Sequence, residues 1–79
     1  MSINILYFGM LAEISGQAKE SLSGKENMTV SDLKELLNEK YPQMRGKKFK
    51  VAVNQKIGDD AVIIPLSAEI ALLPPFAGG

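Results

Sequence analysis

Residues 2–8, Ser-Ile-Asn-Ile-Leu-Tyr-Phe, alternate with the two-residue period of a β-strand, Ile3, Ile5 and Tyr7 on one face and Asn4, Leu6 and Phe8 on the other. Apolar residues on both faces toward its end predict a strand covered on two sides. Residues 10–15 fit a short helical turn with Met10, Leu11 and Ile14 together, ended by Gly16. Residues 18–23 read as a second, more polar strand suited to a sheet edge. The strongest signal follows. Thr29-Val30-Ser31-Asp32 has capping-box spacing, and Val30, Leu33, Leu36, Leu37 and Tyr41 recur at helical intervals as one apolar stripe. Lys40 suits the negative end of the helix dipole, and Pro42 stops the helix near Tyr41. Such a stripe predicts a helix packed on a sheet.

A polar connection, residues 43–48, leads to a strand over Phe49–Asn54 with Phe49, Val51 and Val53 inward and Lys50, Ala52 and Asn54 outward. Asn54-Gln55 predicts a tight turn returning through Lys56-Ile57, with Gly58-Asp59-Asp60 a loop. Ile63-Ile64-Pro65-Leu66 reads as a buried connection, because Pro65 cannot donate to a ladder. Ile70–Leu73 is wholly apolar and predicts a central strand. The expected fold is therefore α+β: one mixed sheet with the main helix across one face, and the first and last strands side by side in the middle. That arrangement is the ubiquitin-like β-grasp. Its expected extent is residues 1–73, with 74–79 an extended C-terminal Gly-Gly tail.

Length and composition narrow the function more than the fold. A chain of 79 residues is one small domain, and 46% hydrophobic with 23% charged residues is globular composition. There is no cysteine and no histidine. The commonest nucleophile, general base and soft metal ligands are thus missing, which argues against an independent enzyme and against a metal site. Absence of disulfides, of a basic leader and of a long apolar run leads us to expect a cytoplasmic protein with no membrane contact. Nine basic residues balance nine acidic ones, so the field of a nucleic-acid binder is not expected. Five of the cations, Arg45, Lys47, Lys48, Lys50 and Lys56, do fall in a stretch with no acidic residue. A solvated face, or one steering the chain to an acidic partner, is the expectation there.

The C-terminal stretch Leu73-Pro74-Pro75-Phe76-Ala77-Gly78-Gly79 is the candidate site. Two prolines stop the strand and aim the segment away from the body. Phe76 offers an aromatic anchor for a partner's pocket. Gly78 and Gly79 have no side chains and fit a slot too narrow for other residues. An α-carboxyl ionises at a pKa of about 3.5, so at neutral pH it is a poor electrophile that must be activated, most simply as an acyl-adenylate. The residues alone leave a frayed terminus and an inert interaction module open as alternatives.

Val51-Ala52-Val53-Asn54-Gln55, then Pro65-Leu66, then Leu73-Pro74-Pro75-Phe76-Ala77-Gly78-Gly79 resemble the family of sulfur carriers that serve as small subunits of molybdopterin synthase. The resemblance runs the length of the chain. It implies that an adenylating enzyme, related to those that activate ubiquitin, uses ATP to activate the Gly79 carboxylate, which becomes a thiocarboxylate. No cofactor is held permanently. It further implies that the tail enters the large synthase subunit, in a heterotetramer of two small and two large subunits, and gives its sulfur to cyclic pyranopterin monophosphate to form the molybdopterin dithiolene. Catalytic side chains would belong to the large subunit, with Gly79 the reacting end and Pro74, Pro75, Phe76, Ala77 and Gly78 in the partner's channel. Ala12 stands where family members often carry arginine, and Ser67-Ala68-Glu69 is a shorter turn than the family's Asp/Gly-rich version. A thiamine-pathway sulfur carrier and a ubiquitin-like protein modifier are the neighbouring readings. The Pro-Pro pair favours molybdopterin over thiamine.

Overall fold

Alternation in the strands and the capped apolar stripe produce the predicted layers. The computed structural model describes residues 2–74. In chain order these are β1 (Ser2–Tyr7), α1 (Met10–Ser15), β2 (Lys19–Ser23), α2 (Val30–Lys40), a 3-10 turn at Pro42–Met44, β3 (Lys50–Val53), β4 (Lys56–Gly58) and β5 (Glu69–Leu73). The sheet order is β2-β1-β5-β3-β4. β1 and β5 run parallel, with Ile5 opposite Ile70 and Tyr7 opposite Leu72, and the other neighbours are antiparallel. The expected β-grasp, with its first and last strands paired and β2 at an edge, is what forms.

α2 begins as the sequence predicts. Thr29 Oγ1 accepts from the Asp32 amide at 3.1 Å, and the Asp32 carboxylate accepts from the Thr29 amide at 3.0 Å. These bonds to Thr29 hold the Asp32 carboxyl below the ordinary carboxylate range. Val30, Leu33 and Leu37 are fully buried against Ile3, Ile5, Val51, Ile70 and Leu72, while Leu36 and Tyr41 pack at the margin. Burying each such leucine or isoleucine contributes about 2 kcal/mol.

Five expectations change. β1 is covered on one side only, since Phe8 is 45% exposed. Ala52 does lie on the outward face, yet it is buried, because a methyl group set between Ala71 and Ile57 in the ladder is shielded by its neighbours. β3 starts at Lys50, with Phe49 leading in half-buried. The stretch from Ile63 to Leu66 is not a buried connection. Ile64 alone is buried, whereas Ile63 and Leu66 are 56% and 64% exposed. There Ile64 N–H donates to the Met28 carbonyl at 2.7 Å and Thr29 bridges Ile63, so backbone bonding to the start of α2 holds the segment. The 3-10 turn lies where a plain polar connection was expected, and it buries Met44.

A polar cluster closes the far edge of the core. Glu20 of β2 accepts from the hydroxyls of Tyr7 and Tyr41, each at 2.7 Å, and from the Lys40 ammonium. The tyrosine rings meet edge to face at 6.1 Å. Burial pushes the Glu20 carboxyl upward, but the bonds from Lys40, Tyr41 and Tyr7 outweigh it and leave it below its ordinary value. Burial, reinforced by Glu20, pushes the Tyr7 phenol well above its usual range. The cluster ties the end of α2 to the edge strand.

Glu20→Ala leaves the Tyr7 hydroxyl without its acceptor and should lower stability by about 1–3 kcal/mol in urea unfolding at neutral pH. A depressed folded pKa stabilises above the unfolded value and is lost as pH falls through the folded one. The gap between wild type and variant should therefore be full above the ordinary glutamate value of 4.5 and close below it. A gap that stays constant into acid would refute this role for the carboxylate.

Candidate functional site at the root of the C-terminal segment

The helix covers one face of the sheet. The opposite face carries the row Lys19, Leu6, Ala71, Ala52 and Ile57, each residue opposite the next in the ladder registers. Four of these five are apolar, and Ile57 is 59% exposed. One step toward the end of β5, Leu73 lies opposite Lys50 and is half-buried. Phe8, continuing the alternation of Leu6, is exposed beside them, as is Met10. A contiguous apolar surface on an otherwise balanced chain marks a place for a protein partner.

β5 delivers the chain to this surface. Because β1 and β5 are parallel, their C-terminal ends emerge on the same side, and residues 8–10 lie next to residues 73 and 74. Pro74 is half-buried there. Gly9 is at φ +58°, and a Cβ built on it would lie 3.0 Å from Pro74 Cγ. Only glycine lets the β1–α1 turn and the proline ring approach so closely.

Of the sequence-predicted site residues, Pro74 is placed at the end of the central strand, against Gly9. Pro75, Phe76, Ala77, Gly78 and Gly79 lie outside the described residues. Sequence reasoning missed Phe8, Met10 and Ile57 as surface groups. The signal lies in Leu6 and Phe8, whose apolar character on the second face of β1 predicts cover but marks an open face. The Val-Asn-Gln turn has a structural role. Asn54 and Gln55 take φ +48° and +74°, and Asn54 exchanges bonds with Glu69, its side-chain oxygen accepting from the Glu69 amide at 2.9 Å. This holds the start of β5 in register with β3.

Among the described residues no group of three or more acidic, His or Cys side chains is placed to hold a metal. No helix among them is long and apolar enough to cross a membrane.

The ThiS family profile matches residues 5–79. The molybdopterin synthase sulfur carrier subunit of Mycobacterium tuberculosis is 30% identical, with 100% of this chain and 99% of that protein aligned. Two solved structures share the fold. The small archaeal modifier protein 1 of Haloferax volcanii superposes with a TM-score of 0.83 at 21% identity, over 95% of this chain and 98% of that one. A chain from the complex of subunits 1 and 2 of the Helicobacter pylori molybdopterin-converting factor gives 0.70 at 23% identity, covering both chains completely.

Gly9 and Gly16 both sit at positive φ, but only Gly9 has an obstacle where a Cβ would go. Gly9→Ala should therefore cost at least about 1 kcal/mol more than Gly16→Ala in thermal or urea unfolding. Equal losses would mean that the contact with Pro74 does not constrain the root of the segment.

Proposed function

This chain belongs to the ThiS family, and from that premise we propose that it is the sulfur carrier subunit of a molybdopterin synthase. The observation that carries the reading is a family match that runs through the Gly-Gly end, together with a relative of that name aligned over nearly its whole length. In this reading residues 74–79 form an extended tail on a β-grasp body. An adenylating enzyme uses ATP to make an acyl-adenylate of the Gly79 carboxylate, and a sulfur donor displaces the adenylate to leave a thiocarboxylate. The tail then enters the large subunit, whose side chains catalyse sulfur transfer to cyclic pyranopterin monophosphate. A heterotetramer of two carriers and two large subunits is the proposed assembly, and the cytoplasm the proposed compartment.

The geometry supports the reading in two ways. A carrier must offer its end without hindrance, and here the central strand brings the chain to one end of the sheet, with Pro74 at the strand's limit. A carrier must also dock, and the open apolar face with Phe8, Leu73 and Ile57 begins at that same point. Phe76, Pro75, Ala77 and Gly78 would continue the contact into the channel, the two glycines passing where a side chain would not.

Incubation with ATP, an adenylating enzyme and a sulfur donor should raise the intact mass by the replacement of one oxygen by sulfur, located at Gly79 by fragmentation. Deletion of Gly79 should leave the unfolding transition unchanged and abolish molybdopterin formation in a reconstituted synthase. Full activity of the truncated chain would refute the carrier function, and lysine-linked adducts of Gly79 in cell extracts would reassign the chain to protein modification.

A further inference from the structure

The basic stretch that composition left without a role borders the root of the C-terminal segment from two sides. Lys50 lies directly opposite Leu73 in the β3–β5 ladder. Arg45 and Lys47 share a surface groove with Met10, Glu13 and Ile14 of α1, the helix that follows Phe8 and Gly9. Lys48, between them in sequence, lines a neighbouring groove with Lys34 and Asn38 of α2. All four side chains are exposed. The ion pairs among the described residues are Lys34 with Asp60 and Lys40 with Glu20, so none of the four cations is neutralised, not even by Glu13 in the shared groove.

The loop that carries them is held in place. Met44 is buried at its start and Phe49 packs against the core at its end. The Arg45 and Lys47 amides donate to the carbonyls of Pro42 and Met44, and Gly46 turns at φ +79°. Four cations with no carboxylate partner among the described residues, Arg45 donating through Nε to the Asn38 carbonyl at 3.4 Å, are thus displayed beside the apolar surface, in a chain whose net charge is zero. Uncompensated charge beside an apolar docking surface steers encounter and sets orientation more than it adds affinity.

We propose that Arg45, Lys47, Lys48 and Lys50 are the electrostatic half of the docking surface, and that the large subunit receiving the tail presents carboxylates along the rim of its entrance to meet them. This rests on the carrier reading above and adds the chemistry of the partner's surface. A nucleic-acid role fits less well. The one aromatic in the stretch, Phe49, is turned to the core and offers no stacking platform. The cations also adjoin an apolar patch, which a phosphate backbone would not cover.

The test uses the full chain, the combined variant Lys47→Gln, Lys48→Gln, Lys50→Gln, and the large synthase subunit of the same organism, with association followed by stopped-flow fluorescence at low and high salt. The neutralised variant should associate about tenfold more slowly at low salt and lose most of the salt dependence, while its dissociation rate changes little. The matching triple Lys→Arg variant should keep the wild-type rate. Unchanged thermal melts establish that the exposed substitutions leave the fold intact. Equal association rates and equal salt slopes for the wild type and the Gln variant overturn the inference while leaving the carrier function standing. Wild-type capture of a single-stranded RNA 20-mer that the Gln variant loses, with partner association unaffected, overturns it in favour of nucleic acid. A wild-type chain that fails to bind the large subunit defeats the carrier reading itself, and this inference with it.

Discussion

β5 is the last strand of the chain and the middle strand of the sheet, paired parallel to β1 on one side and antiparallel to β3 on the other. Its inward residues, Ile70 and Leu72, are completely buried, flanked by Ile5 and Tyr7 of β1 and by Val51 and Val53 of β3. Parallel pairing cannot be closed by a tight turn, so α1, β2, α2, β3 and β4 all lie between the two partners. Once this long-range pair forms, the end of β5 is fixed beside the β1–α1 turn. The position of Pro74 therefore follows from the core.

The same pair divides the sheet into two unlike faces. α2 seals one with Val30, Leu33 and Leu37, its start capped by Thr29 and Asp32 and its end held through Lys40, Tyr41 and Glu20. On the other, the apolar row from Leu6 to Ile57 is covered by no element among the described residues. In a domain this small the helix can shield only one face. Pro74 ends the central strand, at the limit of both faces.

The chain has no His or Cys, and its described residues hold no cluster of metal ligands. Burial is supplemented by one satisfied polar cluster, Glu20 with Tyr7, Tyr41 and Lys40, on the face of the sheet that α2 covers.

Local pattern was sufficient for much of this. The capping box at Thr29, the stripe ending near Tyr41, the polar edge strand and the apolar final strand all formed as the spacing predicts, because each depends on bonds and periodicities spanning a few residues. The family resemblance was equally legible, since it resides in residue identity. Exposure was decided by the tertiary structure. Leu6 and Phe8 have the same character whether covered or bare, and only the absence of a second layer makes them surface. Ala52 became buried because its ladder neighbours are Ala71 and Ile57, and Ile63 and Leu66 became exposed because backbone bonds to the start of α2 hold their segment. The closeness of Gly9 to Pro74, and the placing of Lys50 and Lys47 around the same point, likewise arise from strand order: residues far apart in sequence meet only when β5 enters between β1 and β3.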